Sequence, residues 1–288
     1  MGGNNSVLRG TEAEEGEPGV LNSILVNHRK ELAQTSIPTR PLGRTGLRVS
    51  QIGLGGEGVL RTFDRRDEAL RVIHRALDLG ITYFDCARAY AGSEEYYGYA
   101  LGSRRDKIFL TSKAFERTKS GALEQLKMSL SNMRTDYLDL WQVHDLRTED
   151  DISAIFGPGG AIEAFVEARE QGLVRYIGVT GHENPSILSK AISLFDFDTV
   201  LMPISMAHPF FSKFLEDTLP AALAKGMGII GMKVIGGSIV PVRRNPGEVK
   251  RLISYALGQP VSTIVIGCGS PGEVEMNVAI AREIPSPS

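Results

Sequence analysis

Four side chains that could take part in proton transfer or stabilise charge lie at the ends of apolar runs or shortly after one. Asp85 follows the apolar run "ITYF", Lys113 follows "KIFLTS" and His144 follows "DLWQV". Tyr90 lies five residues beyond Asp85. A Tyr hydroxyl is a poor acid at neutral pH because its pKa is about 10. A nearby ammonium would lower that pKa, and a carboxylate would hold the ammonium in place.

This set of groups is suited to the reduction of a carbonyl. The Tyr90 phenol could protonate the carbonyl oxygen while a hydride reaches the carbon. A neutral His144 could orient the carbonyl by hydrogen bonding. The hydride would have to come from a cofactor, since no side chain supplies one.

Each residue also has an ordinary structural explanation when it is taken alone. Asp85 could form a turn or cap a helix, Lys113 could be a solvated charge and His144 could be a packing residue. Three ionisable groups at matching positions favour the functional explanation. A second chemistry, a Schiff base on Lys113, is disfavoured because Asp85 would keep the amine protonated.

Eight short apolar runs would position these residues. They are spaced roughly 25 to 35 residues apart, which is the length of one βα unit, and most are nearly continuous in apolar residues, as in parallel strands buried on both faces. This pattern predicts a (β/α)8 TIM barrel over residues 40–288, whose active site would lie at the C-terminal ends of the strands. The runs are "QIGLGG", "ITYFDC", "KIFLTSK", "DLWQVHD", "VRYIGVTGH", "TVLMPIS", "GIIGMKVIGG" and "TIVIGCG".

The alternative fold is a doubly wound sheet that binds a dinucleotide. "GLGGEG", from Gly53 to Gly58, matches the glycine fingerprint of such sheets. The glycine turn should open directly into a helix, whereas "VLRTFDRRDEA" reads as a loop. We therefore interpret the match as a false positive.

Segments between the runs have helical periodicity. "RRDEALRVIHRALDLG" is amphipathic and ends at Gly80, and a second predicted helix ends at Gly172. "NPSILSKAISLF" begins with Asn184 as a candidate cap and Pro185 at the first helical position. Upstream, "RPLGRTGLRVSQIG" predicts a β-hairpin that plugs the N-terminal end of the barrel.

Composition excludes several classes of partner. The net charge of −2 offers no basic field for nucleic acid, and no apolar run approaches the roughly 18 residues that span a bilayer.

The two cysteines, Cys86 and Cys268, are predicted to be reduced thiols, and their spacing does not fit a metal site. "MGGNNS" fits a myristoylation pattern at Gly2 that also arises by chance. Without an apolar signal segment, a cytoplasmic location is expected, and residues 1–39 are predicted to be a loosely packed N-terminal arm.

The residues around the four candidates resemble those of a known family. "FDCARAYAGSE" resembles the FDTAxxYGxSE signature of aldo-keto reductases, and "TSK" and "QVHD" stand where that family has its Lys and His. The resemblance extends from about Arg40 to Glu283. It implies that Tyr90 is the general acid, that Lys113 and Asp85 tune it, and that His144 orients the substrate carbonyl.

The resemblance also implies a nicotinamide cofactor, NADP(H) or NAD(H), bound over the barrel mouth. "IGCGSPGEVEMNVAIA" resembles the family segment after the last strand. A plain loop followed by a capped helix is the structural alternative. The residues expected to contact the cofactor here are Gly267, Cys268, Gly269, Ser270, Glu273 and Asn277.

This sequence departs from the family pattern at the nicotinamide end. Thr180, Gly181 and His182 replace the Ser-Asn pair that holds the carboxamide, although "TGH" resembles one branch of the family. Lys233 could reach a cofactor phosphate or be a surface charge. Ser270 stands where many NADP-preferring relatives carry a basic residue, so NAD(H) is credible too.

The function expected is therefore reduction of an aldehyde or ketone to an alcohol. The expected partner is a small carbonyl or alcohol substrate, and a homo-oligomer is compatible with the sequence. The substituted nicotinamide pocket motivates an alternative from another class: a nucleotide-binding regulatory or sensor protein of the same fold with little turnover.

Overall fold

The computed structural model describes residues 36–237 and 245–285. Most of the predicted arm, including Gly2, therefore lies outside the described residues. The strands are β1 (Thr39–Pro41), β2 (Arg48–Ser50), β3 (Ile52–Gly58), β4 (Tyr83–Phe84), β5 (Phe109–Ala114), β6 (Leu138–Val143), β7 (Val174–Thr180), β8 (Thr199–Pro203), β9 (Gly228–Met232) and β10 (Thr263–Cys268).

Helices lie between the barrel strands, and shorter helical turns interrupt the loops. The α-helices are α1 (Arg66–Asp78), α2 (Ser93–Ala100), α3 (Lys119–Met133), α4 (Glu149–Phe156), α5 (Ala161–Glu170), α6 (Pro185–Leu194), α7 (Leu219–Ala224), α8 (Pro246–Leu257) and α9 (Pro271–Glu283). The 3-10 turns are Gly43–Thr45, Val59–Arg61, Gly102–Lys107 and Pro209–Phe211, and a π-helical turn spans Phe214–Thr218.

Strands β3 to β10 close into a barrel of eight parallel strands, with β10 paired to β3. All eight predicted runs become barrel strands, which confirms the predicted fold. The "GLGGEG" glycines lie within or at the end of β3, not in a turn that opens into a helix. The dinucleotide fingerprint was therefore correctly set aside.

The helix ends follow from local sequence chemistry. The Asn184 side chain accepts a hydrogen bond from the backbone N–H of Ile187 at 3.3 Å, so it caps α6 as predicted. Gly80 and Gly172 follow α1 and α5 with φ of 90° and 74°, a conformation that glycine adopts without steric cost.

The N-terminal hairpin closes one end of the barrel. Strands β1 and β2 pair antiparallel, as predicted. Leu42 and Val49 are fully buried there and pack among residues inside the barrel, including Tyr83. A backbone hydrogen bond from Arg44 N–H to the Gly226 carbonyl, at 2.7 Å, also joins the hairpin to the segment just before β9.

The described residues were also searched for membrane spans and metal sites. None of the helices described is long and apolar enough to cross a bilayer. Within the same residues, no group of three or more His, Cys, Asp or Glu side chains is arranged to hold a metal ion.

Candidate active site

Three neighbouring barrel strands bring the predicted residues to one rim. Asp85 directly follows β4, Lys113 is the penultimate residue of β5 and His144 directly follows β6. Backbone hydrogen bonds keep two of them in register: Asp85 N–H donates to the Leu54 carbonyl at 2.8 Å, and His144 N–H to the Ala114 carbonyl at 2.9 Å. Parallel strands present their C-terminal ends on the same side, so the side chains converge there.

Lys113 and Asp85 form a buried ion pair. The ammonium Nζ lies 2.6 Å from Asp85 Oδ2 and also donates to the Cys86 carbonyl at 2.6 Å. The other carboxylate oxygen accepts from Thr111 Oγ1 at 2.9 Å and from Gln142 Nε2 at 3.4 Å. Lys113 is 1% exposed and Asp85 is 3% exposed. These contacts compensate the buried charges and leave the Lys113 amine no open approach as a nucleophile.

Tyr90 packs directly against this pair. Its ring centre lies 5.2 Å from the Lys113 ammonium and 4.9 Å from the Arg61 guanidinium carbon. A Cβ added at Gly56 would lie 2.8 Å from a ring carbon of Tyr90, so the phenol needs a glycine beside it. The backbone of β3 thus helps to seat the Tyr90 ring.

The pKa of Tyr90 is shifted opposite to the direction that we predicted from the sequence. Burial raises the pKa of the phenol well above its ordinary value, and the Asp85 and Glu57 carboxylates add to the rise. The prediction gave too much weight to the Lys113 ammonium. Because that charge is compensated by Asp85, desolvation of the phenolate dominates.

His144 lies edge-on to two aromatic rings. Its ring centre is 5.9 Å from that of Tyr90 and 6.0 Å from that of Phe115, at nearly perpendicular angles. Burial lowers the pKa of His144 well below its ordinary value, and the Lys113 charge lowers it further. The lowered pKa favours a neutral imidazole, which can donate or accept a hydrogen bond.

A cavity of about 310 Å³ opens beside these residues. This volume lies at the lower end of the range for small-molecule sites. It extends from Asp85 and Tyr90 to the β10 end of the barrel mouth. Its lining includes Gly56, Asp85, Tyr90, His182, Lys233 and Gly267.

The loop after β10 is built from the predicted cofactor segment. Gly267 approaches β3 so closely that an added Cβ would lie 2.6 Å from the Cβ of Glu57. Ser270 is the cap of α9, since its hydroxyl accepts from the Glu273 N–H at 3.4 Å. Glu273 folds back and accepts from the Gly269 N–H at 2.7 Å.

Two further residues of this segment lie underneath the loop. Cys268 is 2% exposed, and Asn277 is 4% exposed. The Asn277 amide donates to the Cys268 sulfur at 3.5 Å, while its amide oxygen has no hydrogen-bond partner among the described residues. Asn277 is thus placed to support the loop from below.

Thr180 and His182, at the end of β7 and just after it, differ in their access to the cavity. Thr180 is fully buried, and its hydroxyl accepts from the Asp145 N–H at 2.8 Å. His182 lines the cavity with its ring centre 6.0 Å from that of His144. Its Nδ1 is buried and has no partner in the described part of the chain.

Lys233 also lines the cavity. Its backbone is in the left-handed region, with φ of 56°, which non-glycine residues seldom adopt. Burial lowers the pKa of the ammonium. Across residues 36–237 and 245–285 it forms no ion pair, so a cation faces the cavity without a carboxylate partner.

Sequence reasoning missed several residues that shape this site. Asp145 has a left-handed backbone, with φ of 56°, and its carboxylate binds Arg147 at 2.7 Å. Glu57 lines the cavity, and its carboxylate lies 2.7 Å from Arg61. The adjacency of Asp145 to His144 was the only signal available, because neither backbone angle nor loop path can be read from residue type.

Trp141 and Cys86 have packing roles in this part of the barrel. Trp141 is fully buried and stacks on Phe165 with ring centres 3.7 Å apart. Cys86 is fully buried, contacts the Ser93 hydroxyl at 3.1 Å and has its thiol pKa raised by burial. A thiol in this environment is unreactive.

We expect the free energy of unfolding of the His182→Asn variant to fall less steeply in acid than that of the wild type. Burial lowers the pKa of His182 to about 4 in the folded protein, whereas an unfolded His has a pKa of about 6.5. The unfolded chain therefore takes up the proton first. The contribution to the free energy of unfolding is complete above pH ~6.5 and is lost as the pH falls from ~6.5 toward ~4. The full difference is on the order of 3 kcal/mol.

Urea unfolding between pH 4 and 7, followed by the fluorescence of Trp141, the single tryptophan, would measure this effect. The variant should show a shallower fall in the free energy of unfolding than the wild type. His144 keeps part of the slope, since its pKa is also lowered. Parallel pH curves for the two proteins would show that His182 is not buried in its neutral form.

Comparison with known proteins identifies relatives of one family. The sequence profile of the Aldo/keto reductase family matches residues 51–251. The uncharacterized oxidoreductase YqkF of Bacillus subtilis is 31% identical over 195 residues, covering 63% of this chain and 59% of that protein. L-galactose dehydrogenase of Arabidopsis thaliana is 26% identical, covering 88% of this chain and 90% of that enzyme.

Solved structures give the same fold. The aldo-keto reductase from Klebsiella pneumoniae in complex with NADPH superimposes with a TM-score of 0.71 at 20% sequence identity. The match covers 86% of this chain and 91% of that one. At this identity the similarity supports the barrel architecture.

Proposed function

Since this chain belongs to the aldo/keto reductase family, we propose that it is an NAD(P)H-dependent oxidoreductase that reduces an aldehyde or ketone to an alcohol. One observation carries the proposal: the buried Lys113–Asp85 pair lies against Tyr90, which lines a cavity, and His144 lies edge-on to the Tyr90 ring. Oxidoreductases among the relatives support carbonyl reduction in general. The roles of individual residues below are part of the proposal.

Tyr90 is the proton donor in this proposal. Its raised pKa keeps the phenol protonated at pH 7, and the proton is transferred as negative charge develops on the carbonyl oxygen. Lys113 stabilises the phenolate that is left, and Asp85 holds the ammonium 2.6 Å away. Neutral His144 donates a hydrogen bond that orients the carbonyl toward Tyr90.

The cofactor supplies the hydride when it is bound. The residues present fit such a group on three observations. The Gly267 backbone forms a surface without a side chain, His182 Nδ1 is buried and unpartnered among the described residues, and Lys233 directs a cation without a carboxylate partner in the described chain at the same cavity.

We assign the two ends of the cofactor to the two sides of this cavity. Lys233 and the glycine loop with Ser270 would hold the phosphates, with the N-terminus of α9 beside them. His182 would lie at the nicotinamide, whereas Thr180 is fully buried and would act through the Asp145 N–H that its hydroxyl binds. Glu273 and Asn277 would contact the adenosine or support the loop.

The cofactor proposed is NADP(H) or NAD(H). A solved structure of the same fold binds NADPH. In this chain Ser270 already serves as a helix cap, and no basic side chain stands at that position for a ribose phosphate. NAD(H) is therefore the stronger expectation if Lys233 does not reach the 2′-phosphate.

Separate fluorescence titrations with NADPH and NADH would test the proposal first. We expect saturable binding of at least one of the two, followed by oxidation of the bound cofactor when a panel of aldehydes and ketones is added. Binding of neither nucleotide would contradict the proposal. Tight binding without turnover across the panel would instead favour the nucleotide-binding sensor, which the substituted segment after β7 motivates.

Three accompanying expectations stay predictions. The partner required is a small carbonyl or alcohol, a homo-oligomer remains compatible with the chain, and the location predicted is cytoplasmic. We also keep the proposal that "TGH" after the fifth barrel strand marks one branch of the family.

A further inference from the structure

The chain turns sharply out of the barrel directly after the His144 position. His144 N–H still bonds to the neighbouring strand, and Leu146 N–H donates to the Thr180 carbonyl at 2.9 Å. The residue between them, Asp145, has a left-handed backbone. The carbonyls of His144 and Asp145 both turn away from the strand ladder, and buried carbonyls require a donor.

Arg117 supplies the donors for both carbonyls. Its Nη1 donates to the His144 carbonyl at 2.8 Å, and its Nη2 to the Asp145 carbonyl at 2.9 Å. The planar guanidinium presents its N–H groups in a fixed fork, which fits two adjacent carbonyls. A single side chain thus fixes the two peptide groups that follow the His144 imidazole.

Arg117 is itself held from the opposite side. Its Nε donates to Asp151 Oδ1 at 2.8 Å. The second oxygen of Asp151 accepts from the N–H groups of Arg147 and Thr148, and Asp151 and Thr148 form the capping box of α4. The carboxylate therefore connects the guanidinium to the start of a helix, and both partners are largely buried.

We propose that Arg117 is a positioning residue that sets the orientation of the His144 imidazole by clamping the backbone of the His144–Asp145 turn to α4. This inference rests on the proposed function, because it gives His144 the substrate carbonyl to orient. Without the clamp, the ring would lose its fixed edge-on position against Tyr90 and Phe115.

The Arg117 charge also acts on His144, so charge and position must be separated. Lys113, His182, Arg117 and Arg61 all disfavour the protonated imidazole. Lys at position 117 would keep a positive charge, but its ammonium cannot present the planar fork to two carbonyls and a carboxylate. The Arg117→Lys variant therefore tests geometry, and Arg117→Met removes both charge and geometry.

The matched control is Arg105 at the other end of the barrel. It is bound in the same way, to the Tyr137 carbonyl at 2.9 Å and to Asp139 Oδ2 at 2.8 Å. The Arg105→Met variant removes a comparable buried arginine without touching the His144 turn. It reports any effect of general destabilisation.

The experiment combines steady-state kinetics with NMR of the cofactor-free protein. Nuclear Overhauser contacts from the His144 ring to the Tyr90 ring report its position, because Phe115 itself packs on Arg117 with the guanidinium carbon 4.7 Å from its ring centre. The chain has five histidines, and a His144→Gln sample assigns the signal. We expect both Arg117 variants to lose these contacts and to lower kcat about 10- to 100-fold. Arg105→Met should keep the contacts and a kcat within about twofold of the wild type.

The outcomes separate this inference from the proposed function. Wild-type contacts in Arg117→Met, or full kcat in Arg117→Lys, would overturn the positioning role even if the wild type reduces carbonyls. If the wild type reduces no carbonyl, the proposed function fails. The NMR contacts then still decide whether Arg117 positions the ring.

Discussion

Replacing Tyr90 with Phe is expected to lower kcat for carbonyl reduction by about 10²- to 10⁴-fold, the contribution of a general acid. The substitution removes one oxygen and leaves the ring that packs on Lys113 and His144. Binding of NADPH or NADH should therefore be unchanged. Initial rates from the absorbance of the reduced cofactor, together with titration of the nucleotide, would measure both quantities.

Tyr96→Phe provides the matched control for this experiment. The Tyr96 hydroxyl donates to the Thr62 carbonyl at 2.8 Å, so the same oxygen is lost from another buried ring. This variant should retain most of the activity. A wild-type rate in Tyr90→Phe would refute the proton-donor role, and equal losses in both variants would point to a packing effect.

The Lys113→Met variant is expected to lose both activity and stability. Removing the ammonium leaves the Asp85 carboxylate buried without its counterion, and breaking a buried pair in this way costs about 3–5 kcal/mol. Turnover should fall as well, because the phenolate loses the cation that stabilises it. Urea unfolding followed by Trp141 fluorescence would give the free energy, and steady-state kinetics the rate.

A double variant separates the two losses. Asp85→Asn combined with Lys113→Met removes both charges, and such neutral replacements often restore stability. We expect the double variant to unfold near the wild-type urea concentration and to remain inactive. Recovery of activity in the double variant would mean that the ion pair has only a structural role.

The fold could be predicted from sequence patterns that depend only on residue type. Continuous apolar runs produced the buried strands, and Asn184, Gly80 and Gly172 set helix ends through their own side-chain or backbone chemistry. The convergence of Asp85, Lys113 and His144 followed from the direction of parallel strands. These features depend on local rules, so they can be predicted from the sequence without a structure.

The rest depends on the three-dimensional environment. Tyr90 has a raised pKa because burial outweighs a cation that Asp85 already compensates. The left-handed turns at Asp145 and Lys233 occur at residues that seldom adopt them. Arg117 binds carbonyls 27 and 28 residues away, a pairing that no periodicity indicates.

The sealed lower end of the barrel determines how molecules exchange. Leu42 and Val49 close that end in the described structure, while the cavity lies at the opposite rim. Two molecules that occupied the cavity together would enter and leave through the same opening, so the one bound deeper would have to bind first and leave last. This fixed order of binding and release follows from the closed hairpin end, whatever the reacting groups are.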